Sequence, residues 1–352
     1  MSNNALADST IRHAVYLERL KAHEVNKITA FLRLVDRSVR DQLSQDITEL
    51  SRTKLNSILA QVNRNLAQLY VDYYEELLGS LIDIAIYESE FESRSLSNAS
   101  GADFILPSTD AVKSLVMTNP LSVRGVDGGK LLEPFIKDWS ASSRKQIVNA
   151  IRLGVYEGQT NFQIIKNIRG TRAENYADGL LNTTKRHAEA IVRTSIQHVS
   201  SAAREKVWDE NQQFLTGYRL VATLDSRTSA ICRSLDNTVH EFGKGPRTPL
   251  HINCRTQMVP ELISEYDFLS EGRTRSSLNG YIDANTTYYE WLKRQPFAFQ
   301  VDAIGKTRAE LLNNGGLSAA QFAQLNLGRN FKPLTLAEMR EREPVAFERI
   351  GL

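Results

Sequence analysis

The stretch "REKVWDENQQFLTGYRLVATLD" (204–225) is where one kind of structure gives way to another. Upstream of it, Ala188, Ile191, Val192, Ile196, Val199 and Ala203 recur at intervals of three and four, the spacing of one helical face. This predicts a long helix over 182–213. From Gly217 the pattern switches to alternation with β-favouring residues, "GYRLVATLD", which predicts a strand. The short helix "SAICRSLDN", the strand "TVHEF", the loop "GKGPRTP" and a third strand "QMVPEL" ending at Pro260 follow.

Towards the N-terminus the reading is simpler. No proline precedes Pro107 and no glycine precedes Gly79. Apolar residues run as Ile28, Phe31, Leu32, Val35, Val39 and Leu43, then as Leu55, Ile58, Leu59, Val62, Leu66, Leu69, Tyr73, Leu77 and Leu81. Two or three long helices over about 10–92 account for this, as a hairpin or bundle. The intervals drift too much for a strict heptad, so a long coiled-coil arm is the weaker alternative. Serine, asparagine, glycine and proline crowd into 93–110 and mark a loop or hinge, and "NPLSVRGVDGGK" (119–130) marks a second break. Two short helices follow over 143–170, separated by Gly158 as a C-cap and Thr160–Asn161 as an N-cap. Beyond the sheet, 286–327 reads as short helices broken at Pro296, Gly305 and Gly315–Gly316, one of them capped by Ser318, and 334–343 as a last helix.

The fold class is therefore α+β and predominantly helical: a long N-terminal helical hairpin or bundle, then a compact module with a small β-sheet flanked by helices. We divide it into an arm (1–100), a hinge or loop-rich linker (101–142), the module (143–343) and a tail (344–352).

Composition excludes several classes. With 352 residues, 41% hydrophobic and 24% charged, the chain is globular rather than disordered or fibrous. Two cysteines exclude a disulfide scaffold. The N-terminus lacks the apolar core of a secretory signal, and the most apolar run, "LLGSLIDIAIY" (77–87), is short and carries Asp83, so the chain reads as cytosolic in origin. Net charge is only +2, but residues 1–100 hold 11 basic against 14 acidic residues, and 141–220 hold 12 against 7. A solvated helix face explains that basic excess; a patch for an acidic partner or DNA phosphates is the sharper alternative.

Chemistry concentrates in "PLHINCRTQ" (249–257) and "TLDSRTSAICRSLDN" (223–237). Cys232, His251 and Cys254 are zinc-type ligands, with His251 and Cys254 spaced His-x-x-Cys. A closed site needs a fourth ligand; position 229 is serine, and His240 is a candidate without a demanding spacing. The alternatives are a Cys–His nucleophilic pair, which needs the two groups in hydrogen-bond reach, or two buried thiols and a histidine bonded to backbone in a tight turn. Asp225 and Arg227 follow the strand and read either as a base with an anion clamp or as an Asx turn capping the next helix. Arg193 on the long helix is a structural partner for a carboxylate such as Asp225. Phosphate-loop, nucleophile-elbow and His-Glu-x-x-His motifs are absent.

In order, "IVRTSIQHVSSAAREKVW" (191–208), "GYRLVATLDSRTSAICRSLDNTVHEF" (217–242) and "TPLHINCRTQMVPEL" (248–262) resemble the phage Mu F-type head morphogenesis, or minor head, proteins. The later "YYEWLKRQPFAFQVDAIGKTRAELLNNGGLSAAQF" with "LTLAEMR" is similar to the tail region of many of them, so the resemblance covers about 145–343. Many members have cysteine where Ser229 and Thr256 stand here, and that version invites structural zinc; its thinning here favours a turn held by His251, Cys254 and Arg255. The resemblance implies a non-enzymatic virion protein made in the host cytoplasm. It implies several copies around the portal ring at one capsid vertex, with contacts to the portal protein, to scaffold or major capsid protein, and to packaged DNA, and exit with the genome in some cases. Two alternatives stand beside it. One is a toxin-like transferase or hydrolase using Asp225, His251 and Cys254; the other is an ejected protein aiding DNA entry, its stretch 55–92 rearranging onto a membrane.

Overall fold

In the computed structural model, residues 5–44, 52–269 and 274–352 are described. They form α1 (Ala5–Gln42), α2 (Arg52–Ser100), α3 (Thr109–Thr118), α4 (Leu132–Tyr156), α5 (Asn161–Arg169) and α6 (Leu180–Asp209). The sheet region follows with β1 (Leu215–Val221), α7 (Ala230–Leu235), β2 (Val239–His240), β3 (Gln257–Leu262), β4 (Thr274–Ser277) and β5 (Gly280–Asp283). The chain closes with α8 (Tyr288–Lys293), α9 (Phe297–Ile304), α10 (Lys306–Asn314), α11 (Ala319–Leu325), α12 (Leu336–Arg342) and α13 (Pro344–Glu348). The predominantly helical α+β class holds. Among the described residues no helix is long and apolar enough to cross a membrane.

The two periodic stripes of the N-terminal region become the two longest helices. Their apolar residues, Ile28, Val35 and Val39 on α1 with Val62, Leu66 and Leu81 on α2, are at most 1% exposed and share one core with α3 to α6. Phe31 stacks on Tyr73 at 4.5 Å between ring centres and Trp139 meets Tyr70 edge-on at 5.2 Å, which fixes α1, α2 and α4 together. The residues 55–92 considered for a membrane surface spend their apolar face in this core.

α6 is the central strut. From Thr194 to Arg204 every side chain is buried, and the run is rich in small residues, Ser195, Ser200, Ser201, Ala202 and Ala203, which lets α1, α2 and the sheet approach from different sides. A second core of Leu96, Phe104, Trp208, Tyr218, Leu220, Leu250 and Met258 joins the ends of α2 and α6 to the three-stranded antiparallel sheet, ordered β2-β1-β3. A third, built on Tyr288, Tyr289, Trp291, Phe322, Met339 and Phe347, belongs to α8–α13.

Several local readings need correction. The serine-rich stretch 93–100 is the last part of α2: Ser100 donates to the Leu96 carbonyl, Ser93 to that of Phe104, and Leu96 is 1% exposed. Thr109–Thr118 is a helix capped by Ser108, so the expected linker 101–142 contains α3 and the first turns of α4. The first helix over 143–170 is long, beginning at Leu132. Gly158 does adopt a positive φ of 70°, and Thr160 closes a capping box with Gln163. β3 continues through Pro260 to Leu262, because it is an edge strand and a missing amide is tolerated there. The hairpin β4–β5 was not anticipated, nor was α13, which starts on Pro344.

Candidate functional site

The site assembles where α6 grips the 248–256 turn. Thr194 accepts from the Asn253 amide at 3.0 Å, Gln197 donates to the Thr256 carbonyl at 3.1 Å, and the Ser201 and Thr248 hydroxyls lie 2.7 Å apart. Asn253 takes φ of 61°, a left-handed conformation asparagine accepts more readily than most residues, and Cys254 then turns back to donate to the His251 carbonyl. This carries Cys254 inward, 1% exposed, to face Cys232 on α7, 2% exposed.

The two thiols are free, with their sulfurs 3.9 Å apart. His251 Nε2 lies 3.1 Å from Cys232 Sγ and 2.7 Å from Ser229 Oγ. Its Nδ1 faces the Ile252 carbonyl at 2.7 Å, and since a carbonyl only accepts, Nδ1 carries a proton and Nε2 is the atom turned on the sulfurs. Ser229 also caps α7, accepting from the Cys232 amide. The Cys254 thiol is held well below its ordinary value, first by the hydrogen bond with Cys232 and then by the imidazole. Cys232 is pushed well above, by Cys254 and by burial. Burial alone would lower His251, but the hydrogen bond and charge interaction with Cys254, together with the Ile252 carbonyl, more than reverse it and the imidazole is raised. The Cys254 thiol is thus lowered and the His251 imidazole raised, beside a second, buried thiol.

Cys232, His251 and Cys254 each present a ligand atom, all within 4.8 Å of one another. Two thiols and an imidazole whose far nitrogen is anchored to backbone suit zinc, with Ser229 Oγ adjacent. An ion there would supply structural cross-linking of α7 to the turn, displacing the shared protons as it bound. His240 is not part of this group; its Nε2 pairs with Thr238 Oγ1 at 2.8 Å, against the ring of Tyr218. We expect stoichiometric zinc to raise the melting temperature, by about 2.7 kcal/mol of stabilisation at a hundredfold excess over Kd. The C232S/C254S double variant should show no rise. An equal rise in both proteins would remove the cluster as a zinc site.

Asp225 organises the loop above. Both of its oxygens are taken by Arg255, at 2.7 and 2.8 Å, while Thr228 Oγ1 and the Arg227 amide donate to Oδ1. Burial would raise this carboxyl; Arg255 outweighs that and holds it below the usual range. The Asx turn is present, but the cap of α7 is Ser229 rather than Asp225. Arg193 does not reach Asp225, whose oxygens Arg255 occupies, and pairs instead with Glu18 of α1 at 3.6 Å. The Arg227 side chain is 83% exposed.

The structure brings Cys232, Asp225, His251, Cys254 and Arg255, each singled out in the sequence, to one place. Sequence reasoning missed Lys21, 1% exposed, whose ammonium donates to Gln197 and Glu18 and so couples α1 to the turn. No local signal could announce a partner 176 residues away. It also missed the buried bidentate pair of Arg275 with Asp236.

No curated protein and no solved structure matches the chain. A family model does match, over a segment that runs from within α4 through α5, α6, β1 and α7 into β3 and contains the whole thiol–imidazole cluster. Over residues 145–259 the chain matches the model of the family described as Phage Mu protein F like protein.

Proposed function

We propose that this protein is a minor head protein of a tailed phage, joining the portal vertex in low copy while the capsid assembles and the genome is packaged. The observation that carries the reading is the family match over 145–259, which points to a phage head morphogenesis protein of the virion and to a structural part rather than an enzyme. The near-complete burial of both cysteines agrees with a structural use of the cluster, since a nucleophile must meet its substrate.

In this reading residues 1–100 serve as a docking arm, 101–142 connect, 143–343 form the head-protein module and 344–352 trail it. The portal protein is the principal partner, with scaffold or major capsid protein nearby and several copies of this chain around the ring. The test is recovery of tagged protein from infected cells before lysis, followed by cross-linking. Cross-links between α1 or α2 and the portal protein are expected. Recovery of the protein free of portal and capsid subunits at every stage would overturn the proposal.

A further inference from the structure

α1, α6 and the two loops of the site enclose a cleft of about 530 Å³, open to solvent and lying on the outer side of Cys254. Five cationic side chains line it: Lys21, Arg186, Arg193, Arg227 and Arg255. Three carboxylates stand against them. Glu18, in the lining, is shared between Lys21 at 2.7 Å and Arg193 at 3.6 Å; Glu189, also in the lining, lies 3.9 Å from Lys185; and Asp225, just behind the lining, is taken up by Arg255. Arg186 makes a 3.3 Å hydrogen bond to the neutral Thr183 hydroxyl, and Arg227 lies 3.8 Å from a carboxylate already engaged.

The cluster therefore gathers two more positive than negative charges around a cavity large enough for a mononucleotide. Like charges held together cost free energy unless something of opposite sign enters. Guanidinium forks match the oxygens of phosphate in pairs, and Arg186 and Arg227 are exposed enough to reorient towards a ligand. Lys21 adds a point charge from the floor. Its ammonium donates to Glu18 and Gln197, two bonds for three N–H groups, and burial lowers its pKa, an effect a bound anion would counter.

We propose that this cleft is a phosphate-binding site, taking the phosphate group of a nucleotide or of a DNA backbone. The cleft would hold phosphate whichever structure the protein joins. It gives the basic excess of residues 141–220 a location, since Arg186 and Arg193 both lie on α6.

The test uses the full chain with three probes: pyrophosphate and a nucleoside monophosphate by calorimetry, and a short DNA duplex by fluorescence anisotropy. One saturable site per chain is expected for at least one of them. The R186Q/R193Q variant should weaken it roughly tenfold or more and lower the salt dependence of DNA binding by about one unit of slope per lost contact. R64Q/R152Q, which removes two exposed arginines outside the cleft, should change affinity by less than about twofold, the mark of a local rather than diffuse effect. DNA displaced by pyrophosphate identifies the backbone as the source; pyrophosphate or nucleotide binding without DNA binding identifies a free nucleotide. If R186Q/R193Q fails to fold, R186K/R193K keeps the charge and loses the forks, and intermediate weakening is expected. No binding of any probe, or equal losses from the two double glutamine variants, overturns the proposal.

Discussion

Replacing Glu92 by leucine is expected to destabilise the protein by roughly 3–5 kcal/mol, the usual loss when one member of a buried charge pair is removed. Glu92 leaves α2 to meet α6: one oxygen accepts from the Arg204 Nε at 2.9 Å, the other from the Trp208 indole at 2.7 Å. Both charged side chains are about 95% buried, so water cannot replace the lost carboxylate. Burial works against the Arg204 cation, and Glu92 followed by Glu88 more than offsets it, holding the guanidinium above its ordinary range. Without Glu92 the charge has Glu88, already engaged by His13 at 2.7 Å, and Glu205, already paired with Arg247, and the Trp208 N–H has nothing. E92Q, which keeps an acceptor for the indole, should lose less than E92L. Because Glu92 joins the N-terminal helices to the module, a single unfolding transition should move to lower temperature by circular dichroism. Two separate transitions, with only one displaced, would show that the arm and the module unfold independently.

R275M should have an effect of the same size. Arg275 reaches back from β4 to hold both oxygens of Asp236, at 2.8 and 3.0 Å, and also donates to the carbonyls of Thr286 and Ala222. Asp236 in turn receives the Ala222 amide at 2.8 Å, so one ion pair binds the end of β1, the exit of α7 and the β4–β5 hairpin. Its side chain is fully buried and burial pushes its carboxyl up even with Arg275 present. In R275M that rise must grow. A carboxyl raised above its unfolded value contributes stability that is intact below the unfolded pKa and lost as pH rises through the folded one. The deficit of R275M should thus be small at pH 4 and widen towards pH 8 in chemical denaturation. D236A/R275M should recover part of it, since it leaves no orphaned charge. A deficit independent of pH would mean that Asp236 is not the group left exposed to the change.

Much of this architecture was legible because it rests on periodicity. The stripes of α1, α2 and α6 are long enough for three- and four-residue spacing to outweigh chance, and the breaks at Pro296, Gly305 and Gly315–Gly316 fall where the chain needs them. The serine run 93–100 misled because serine has two uses. There its hydroxyls bond back to carbonyls of the helix or to Phe104, and Leu96 supplies the burial that keeps the helix going. β4 and β5, at four residues each, are too short for alternation to register, although Asn279–Gly280 at their turn was a usable sign.

At the site, Cys232, His251 and Cys254 could be picked out by residue type, and the 248–256 turn does bring them together. What sequence could not supply is who faces them. The role of Ser229, at once the cap of α7 and a neighbour of His251 Nε2, and the arrival of Lys21 and Glu18 from α1, depend on long-range packing. The same packing sends Arg193 to Glu18 and leaves Asp225 to Arg255.

A minor head protein must be a constituent of the phage head. Quantitative mass spectrometry of purified procapsids and DNA-filled virions, with this chain counted against portal and major capsid protein, tests it most directly. Its presence in both particles is expected, in a small fixed ratio to portal and far below the major capsid protein. Absence from both would overturn its assignment to the phage head.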